Sequence, residues 1–147
     1  MLPPKGRQIM SDNTNRAIVE SYARAGESND LDEMEKHLAD DVLEEYPQSG
    51  ERFRGKANRR KVFENYPGRE AGGGNLNLKV LQINGSGDEY TAVGIVTYPN
   101  GERWHMVSLI GLHGGKIAKI TSFFAAPFEA PAWRQPYLDK VPVASRS

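Results

Sequence analysis

The chain has no cysteine among its 147 residues. That excludes disulfide staples, thiolate metal sites and cysteine nucleophiles at once. It also lacks an excess of charge of either sign, with 19 lysines and arginines against 19 aspartates and glutamates. Balanced charge argues against a nucleic-acid or anionic-membrane partner, so neither is expected. No apolar run approaches the ~20 residues that span a bilayer. The N-terminal stretch MLPPKGRQIM has no apolar segment of the secretory kind, and the expected compartment is cytoplasmic. Histidine is scarce: His37, His105 and His113 are far apart, without metal-ligand spacing. Gly72-Gly73-Gly74 and Gly114-Gly115-Lys116 read as turns, because neither sits between a strand and a helix as a phosphate loop must. No metal and no cofactor is implied.

What remains is enough for one domain of ordinary size. Residues 1–10 are expected to be a disordered extension, 11–140 a single domain and 141–147 a disordered tail. Ile18, Tyr22 and Ala25 recur at helical spacing and predict a helix over 13–25. Asp30 and Glu33 have capping-box spacing, and Leu31, Met34 and Leu38 form one stripe, which predicts a second helix over 30–39. A short strand from Val42 ends at Pro47, and a third helix is expected from about 56 to 66, stopped by Pro67-Gly68. Alternation then predicts strands over Leu76–Val80, Tyr90–Tyr98, Trp104–Leu112 and Ile117–Ala125. Turns are expected at Asn84–Gly87, Asn100-Gly101 and Gly114-Gly115, with an irregular, aromatic-anchored segment after the last strand. The basic cluster Arg52, Arg54, Lys56, Arg59, Arg60 and Lys61 reads as a solvated face, balanced by the acidic run from Asp30 to Glu35.

Helices first and a meander after them define an α+β domain, with three N-terminal helices packed on a curved antiparallel sheet that encloses a pocket. Three stretches carry a resemblance: LADDVLEEYPQSGERFRG at 38–55, YPNGERWHMVSLIGLHGGKIAKITSFFA at 98–125, and PFEAPAWR at 127–134. Together they resemble the SnoaL-like branch of the nuclear-transport-factor-2-like superfamily, a cone of helices on a bent sheet. The resemblance implies a homodimer formed through the outer sheet face and a pocket for a small hydrophobic molecule. It also implies either cofactor-independent acid–base catalysis (isomerase, cyclase, dehydratase or hydrolase) or a non-catalytic ligand-binding or dimerisation module.

Ketosteroid isomerase, a distant relative, uses a helix tyrosine, an aspartate base before a proline and a late-strand aspartic acid. Those positions fall on Tyr22, Tyr46 and Ser108, so the resemblance supplies the tyrosine but not the carboxylate base. Glu44 shares strand parity with Tyr46 and can face the interior, where burial favours acid–base work. His105 has the intrinsic pKa for proton transfer but is opposite in parity to Ser108. Tyr22, Glu44, Tyr46, His105 and Ser108 are therefore the candidate catalytic residues. Gln48, Phe63, Trp104, Phe124 and Trp133 are the candidate ligand contacts. For each, plain packing or turn chemistry is the alternative.

Overall fold

A computed structural model describes residues 5–67 and 76–139. In chain order the elements are α1 (Lys5–Glu27), α2 (Leu31–Lys36), β1 (Leu38–Tyr46), β2 (Glu51–Arg54) and α3 (Lys56–Glu64). Then come β3 (Asn77–Ser86), β4 (Glu89–Thr97), β5 (Arg103–His113), β6 (Lys116–Ala125) and a 3-10 turn (Ala132–Tyr137). One open, curved sheet has the order β2-β1-β6-β5-β4-β3, with the helices against its inner face. Every neighbouring pair is antiparallel except β1 and β6, which run parallel. The sheet is therefore mixed rather than wholly antiparallel. Among the described residues no helix is long and apolar enough to cross a membrane.

Helix α1 spans residues 5–10 as well as the expected 13–25. Residues 1–4 and 141–147, two ends expected to be extensions, lie outside the described residues, as does Gly72-Gly73-Gly74. Asn29 turns the chain with a φ of 56°, and the Asp30 carboxylate accepts from the Glu33 N–H at 3.0 Å, as the capping spacing implied. Helix α2 is shorter than expected. Leu38 continues its stripe in sequence, yet Leu38 pairs with Ile117 as the first residue of β1. Leu38 and Val42 are both buried at 1% exposure, because residues four apart share a face of a strand as well as of a helix, so this spacing imitates a helix.

Two further differences shape the site. Glu51–Arg54 forms an edge strand against β1, closed by a turn with Gly50 at φ 76°. Its single apolar residue, Phe53, gives no alternation to read, and its charges suit an exposed edge. Strand β3 runs to Ser86 and carries a bulge between Val80 and Gln82, near the exposed Leu81. The Asn100-Gly101 and Gly114-Gly115 turns fall where the sequence places them. Both glycines of the second have positive φ, 57° and 75°, the backbone a two-residue hairpin loop requires.

The main core lies between α1 and the inner face of the sheet. Val19 and Ile117 are fully buried there, and Ile120, Tyr90 and Ile110 are nearly so. Burying each such aliphatic side chain contributes about 1.5–3 kcal/mol. A second cluster, Ala25, Leu31 and Met34, closes the helical end with Tyr22 and Phe63 beside it. Asn15 is buried and locks α1 to the β3–β4 turn, donating to Gly87 O at 2.8 Å and to Asp88 Oδ1 at 3.0 Å. Between the helices and the inner face of the sheet lies a cavity, lined by residues of all three helices and of the sheet.

Candidate functional site

The cavity has a volume of about 520 Å³, within the range of small-molecule sites. Its walls are mainly apolar, with Leu78, Val96, Met106, Ile110, Ile120 and Phe63 among them. Strand alternation decides which sheet residues reach it. On β5, Trp104, Met106, Ser108 and Ile110 line the cavity; on β6, Ile120, Ser122 and Phe124 do.

Four polar side chains from three elements meet in one wall. Glu44 on β1 is 4% exposed and Arg59 on α3 is 4% exposed. The Arg59 Nε donates to Glu44 Oε2 at 2.5 Å, and Arg59 Nη2 donates to the hydroxyl of Tyr22 on α1. Among the described residues, the remaining Glu44 oxygen, Oε1, accepts only a long contact of 3.5 Å from the Tyr46 hydroxyl. Arg59 also lies over the rings of Phe63 and Tyr22, its carbon 4.6 Å and 5.5 Å from the two centroids. A planar guanidinium can serve two oxygens and two ring faces at once, which an ammonium cannot. A buried charge pair survives only when its hydrogen-bonding capacity is used in this way.

The titration behaviour follows from this packing. Burial pushes the Tyr22 phenol up to about 12, against the Arg59 guanidinium, which favours phenolate; the Glu44 carboxylate adds to the rise. Burial, and then the Glu44 charge, raise the Tyr46 phenol well above its ordinary value. For Arg59, burial opposes the charge but is outweighed by Tyr22 and Glu44, and its pKa is raised. At neutral pH the two phenols are therefore proton donors, and neither is a base. The Tyr22 oxygen accepts from Arg59, so this contact leaves the hydroxyl's own hydrogen unused.

Eight of the ten sequence-predicted site residues line this cavity: Tyr22, Glu44, Tyr46, Gln48, Phe63, Trp104, Ser108 and Phe124. His105 does not. It is exposed on the opposite face of the sheet, between Ile95 and Ala125 of the flanking strands, because it alternates with Ser108 and no bulge intervenes. Trp133 does not either; it is 73% exposed in the 3-10 turn, with Arg134 at 5.5 Å from its ring centroid. Gln48 stands at the mouth, where its side-chain oxygen accepts from the Phe124 N–H at 2.6 Å and ties the β1–β2 turn to the end of β6. Tyr46 packs edge-on to Phe53 and Phe124, at 5.2 Å and 5.3 Å between centroids. Tyr98 stacks on Tyr66 and meets Trp104 edge-on at the other side of the mouth.

Arg59 is the residue that sequence reasoning misplaced. The charge pattern places it in a solvated basic cluster, whereas it is Arg60 beside it that has that role, pairing with Asp32 and Glu64 at the surface. The signal was present: Arg59 precedes Val62, Phe63 and Tyr66 by three, four and seven residues, the spacing of one helix face. Ser122 was also missed, although it alternates with Ile120 and Phe124 on the inner face. Among the described residues no group of three or more His, Cys, Asp or Glu side chains is placed to hold a metal ion.

Comparison with known proteins agrees with this architecture. Residues 19–120 match the model of a family described as a SnoaL-like domain. No curated protein matches the sequence. Among solved structures, an NTF-2 like protein of unknown function from Burkholderia xenovorans LB400 is 29% identical, with a TM-score of 0.75 over 90% of this chain and 99% of that one. A provisionally named ketosteroid isomerase from Kribbella flavida DSM 17836 is 24% identical, with a TM-score of 0.79 over 93% and 96% of the two chains. An LEH-like epoxide hydrolase from M. tuberculosis is 18% identical, with a TM-score of 0.64 over 77% and 84%. The last two likenesses concern the fold.

Proposed function

Because the chain belongs to the SnoaL-like domain family, whose model covers residues 19–120, we propose that its cavity takes a small, neutral, largely apolar molecule bearing oxygen and performs acid–base chemistry on it. One observation carries this reading: the Glu44 carboxylate is 4% exposed in the polar wall of a mainly apolar cavity, with one oxygen held by Arg59 and the other nearly uncommitted. In this reading the Tyr22 hydroxyl donates to a carbonyl or ether oxygen of the ligand, supported from behind by Arg59. Glu44 Oε1 accepts a proton from the adjacent carbon or from water and returns it later, so no net proton is consumed. The paired charges of Glu44 and Arg59 cancel, which favours a neutral ligand over a carboxylate. Positioned proton transfer of this kind contributes roughly 10²–10⁴-fold to a rate. Isomerase, cyclase, dehydratase and hydrolase chemistry all fall within it.

A non-catalytic ligand-binding module is the second reading, favoured by the 2.5 Å contact that ties Glu44 to Arg59 and restrains it as a base. A panel of small ketones and epoxides, assayed for both binding and turnover with the wild type, Glu44→Gln and Tyr22→Phe, separates the two. Turnover that falls at least tenfold in both variants, with melts showing a folded protein, supports catalysis. Binding without turnover leaves the module. Absence of binding across the panel overturns both.

A further inference from the structure

The same cavity contains a second polar feature, apart from the Glu44 wall. Ser108 and Ser122 are 6% and 3% exposed, line the cavity, and stand directly opposite each other in the β5–β6 register. Their hydroxyl oxygens are 2.7 Å apart. Two hydroxyls carry two hydrogens, and one contact between them uses one. Among the described residues no other side chain or backbone group takes the second, and the backbone groups around it belong to the paired strands β4, β5 and β6. The neighbours on the same face are Ala92 opposite Ser108 on β4, Ile110 and Ile120 next along the strands, and Tyr46 on β1, one residue beyond the Glu45–Thr121 pair, which adds a further hydroxyl to a mainly apolar floor. A buried hydroxyl pair on an apolar floor has no packing advantage over alanine or valine, and its unspent donor is costly unless something accepts from it.

Resting on the reading above that the cavity takes an oxygenated small molecule, we infer that Ser108 and Ser122 form a second oxygen subsite, and that the ligand carries two separated oxygen functions. The sheet geometry sets their spacing. Ile120 is the register partner of Glu44 and Ser122 lies two residues further along β6. One inter-strand step and two residues of rise place Ser122 about 8 Å from Glu44 across the inner face. The ligand is then a neutral, two- or three-ring or comparably long apolar molecule. One oxygen lies at Tyr22 and Glu44, and an acceptor oxygen at the opposite end rests on the serine pair. The pair selects among ligands rather than taking part in proton transfer.

The test compares 6-methoxy-2-tetralone with 6-ethyl-2-tetralone, two ketones of matched size that differ in the presence of the distal oxygen. Dissociation constants are read from quenching of Trp104, which lines the cavity. The wild type is expected to prefer the methoxy compound about three- to tenfold, the worth of one hydrogen bond that would otherwise be left unmade. In the Ser108→Ala/Ser122→Ala double variant, which removes both partners and leaves no orphaned hydroxyl, the preference should fall to within about twofold. Equal affinity of the wild type for the two compounds, or an unchanged preference in the double variant, overturns the subsite. If neither these nor unsubstituted 2-tetralone binds the wild type, the ligand reading of the cavity fails and the subsite with it. If all three bind equally, only the subsite fails.

Discussion

Breaking the Arg59–Glu44 pair should destabilise the fold far more than its count of one salt bridge suggests. Both side chains are about 95% withdrawn from water, at 5% and 6% exposure, and their contact is 2.5 Å. Arg59→Met leaves a buried carboxylate without its counter-charge and removes the donor to Tyr22, at a cost of about 3–5 kcal/mol. Glu44→Leu leaves the guanidinium unpaired at a similar cost of about 3–5 kcal/mol. The double variant leaves neither charge, and an apolar exchange of a buried pair is commonly neutral or stabilising. Urea unfolding of the wild type, both single variants and the double variant at one protein concentration completes the cycle. The singles should each lose about 3–5 kcal/mol in urea, equivalent to about 10–15 °C in a parallel thermal melt for a chain of this size, and the double should recover most of it. Losses below about 1 kcal/mol in the singles would refute the reasoning, since exposed pairs behave that way. A double-variant loss equal to the sum of the singles would refute it too.

Other expectations follow from the same geometry. The Tyr22 phenol is raised to about 12 in the folded state, whereas its unfolded value is about 10. Its contribution to stability is then complete below about pH 10 and lost as pH rises toward 12, because the unfolded chain releases that proton first. Urea midpoints between about pH 9 and 12 should fall less steeply in Tyr22→Phe than in the wild type, and parallel curves would contradict the burial of that hydroxyl. His105→Ala should leave ligand affinity and any turnover unchanged within about twofold, since the side chain lies on the outer face; a larger loss in titration or rate assays would place it at the site. Leu109 and Phe123 are 45% and 38% exposed on that outer face, and we propose that a second copy of the chain covers them. Sedimentation should show a dimer that Phe123→Asp converts to monomer, and a monomeric wild type would contradict it.

The fold was legible where one physical signal dominated. The hairpins read cleanly because Asn100-Gly101 and Gly114-Gly115 have few other backbone uses, and β4 between its turns is rich in β-branched residues. The parallel β1–β6 pairing was not legible, since nothing local to Leu38–Tyr46 says which distant strand it joins. The spacing of Leu38 from Leu31 and Met34 is helical and extends helix α2 in sequence, and a long-range partner, Ile117, decides otherwise. At the site, alternation gives Glu44 and Tyr46 one face and His105 the parity opposite to Ser108; Glu44 and Ser108 line the cavity. Arg59 was obscured by its neighbours. A charged residue in a charged run looks solvated until its helix face is compared with Val62, Phe63 and Tyr66.

The most direct measurement follows proton transfer itself. Exchange of the α-hydrogens of 2-tetralone in deuterated buffer, monitored by proton NMR, reports whether a group in the cavity accepts a proton from carbon beside a bound carbonyl. The expected result is exchange accelerated by roughly 10²-fold or more over buffer with the wild type, and lost in Glu44→Gln. Exchange at the buffer rate with 2-tetralone demonstrably bound, or acceleration that persists in Glu44→Gln, would contradict the assignment of Glu44 as the proton acceptor of this cavity.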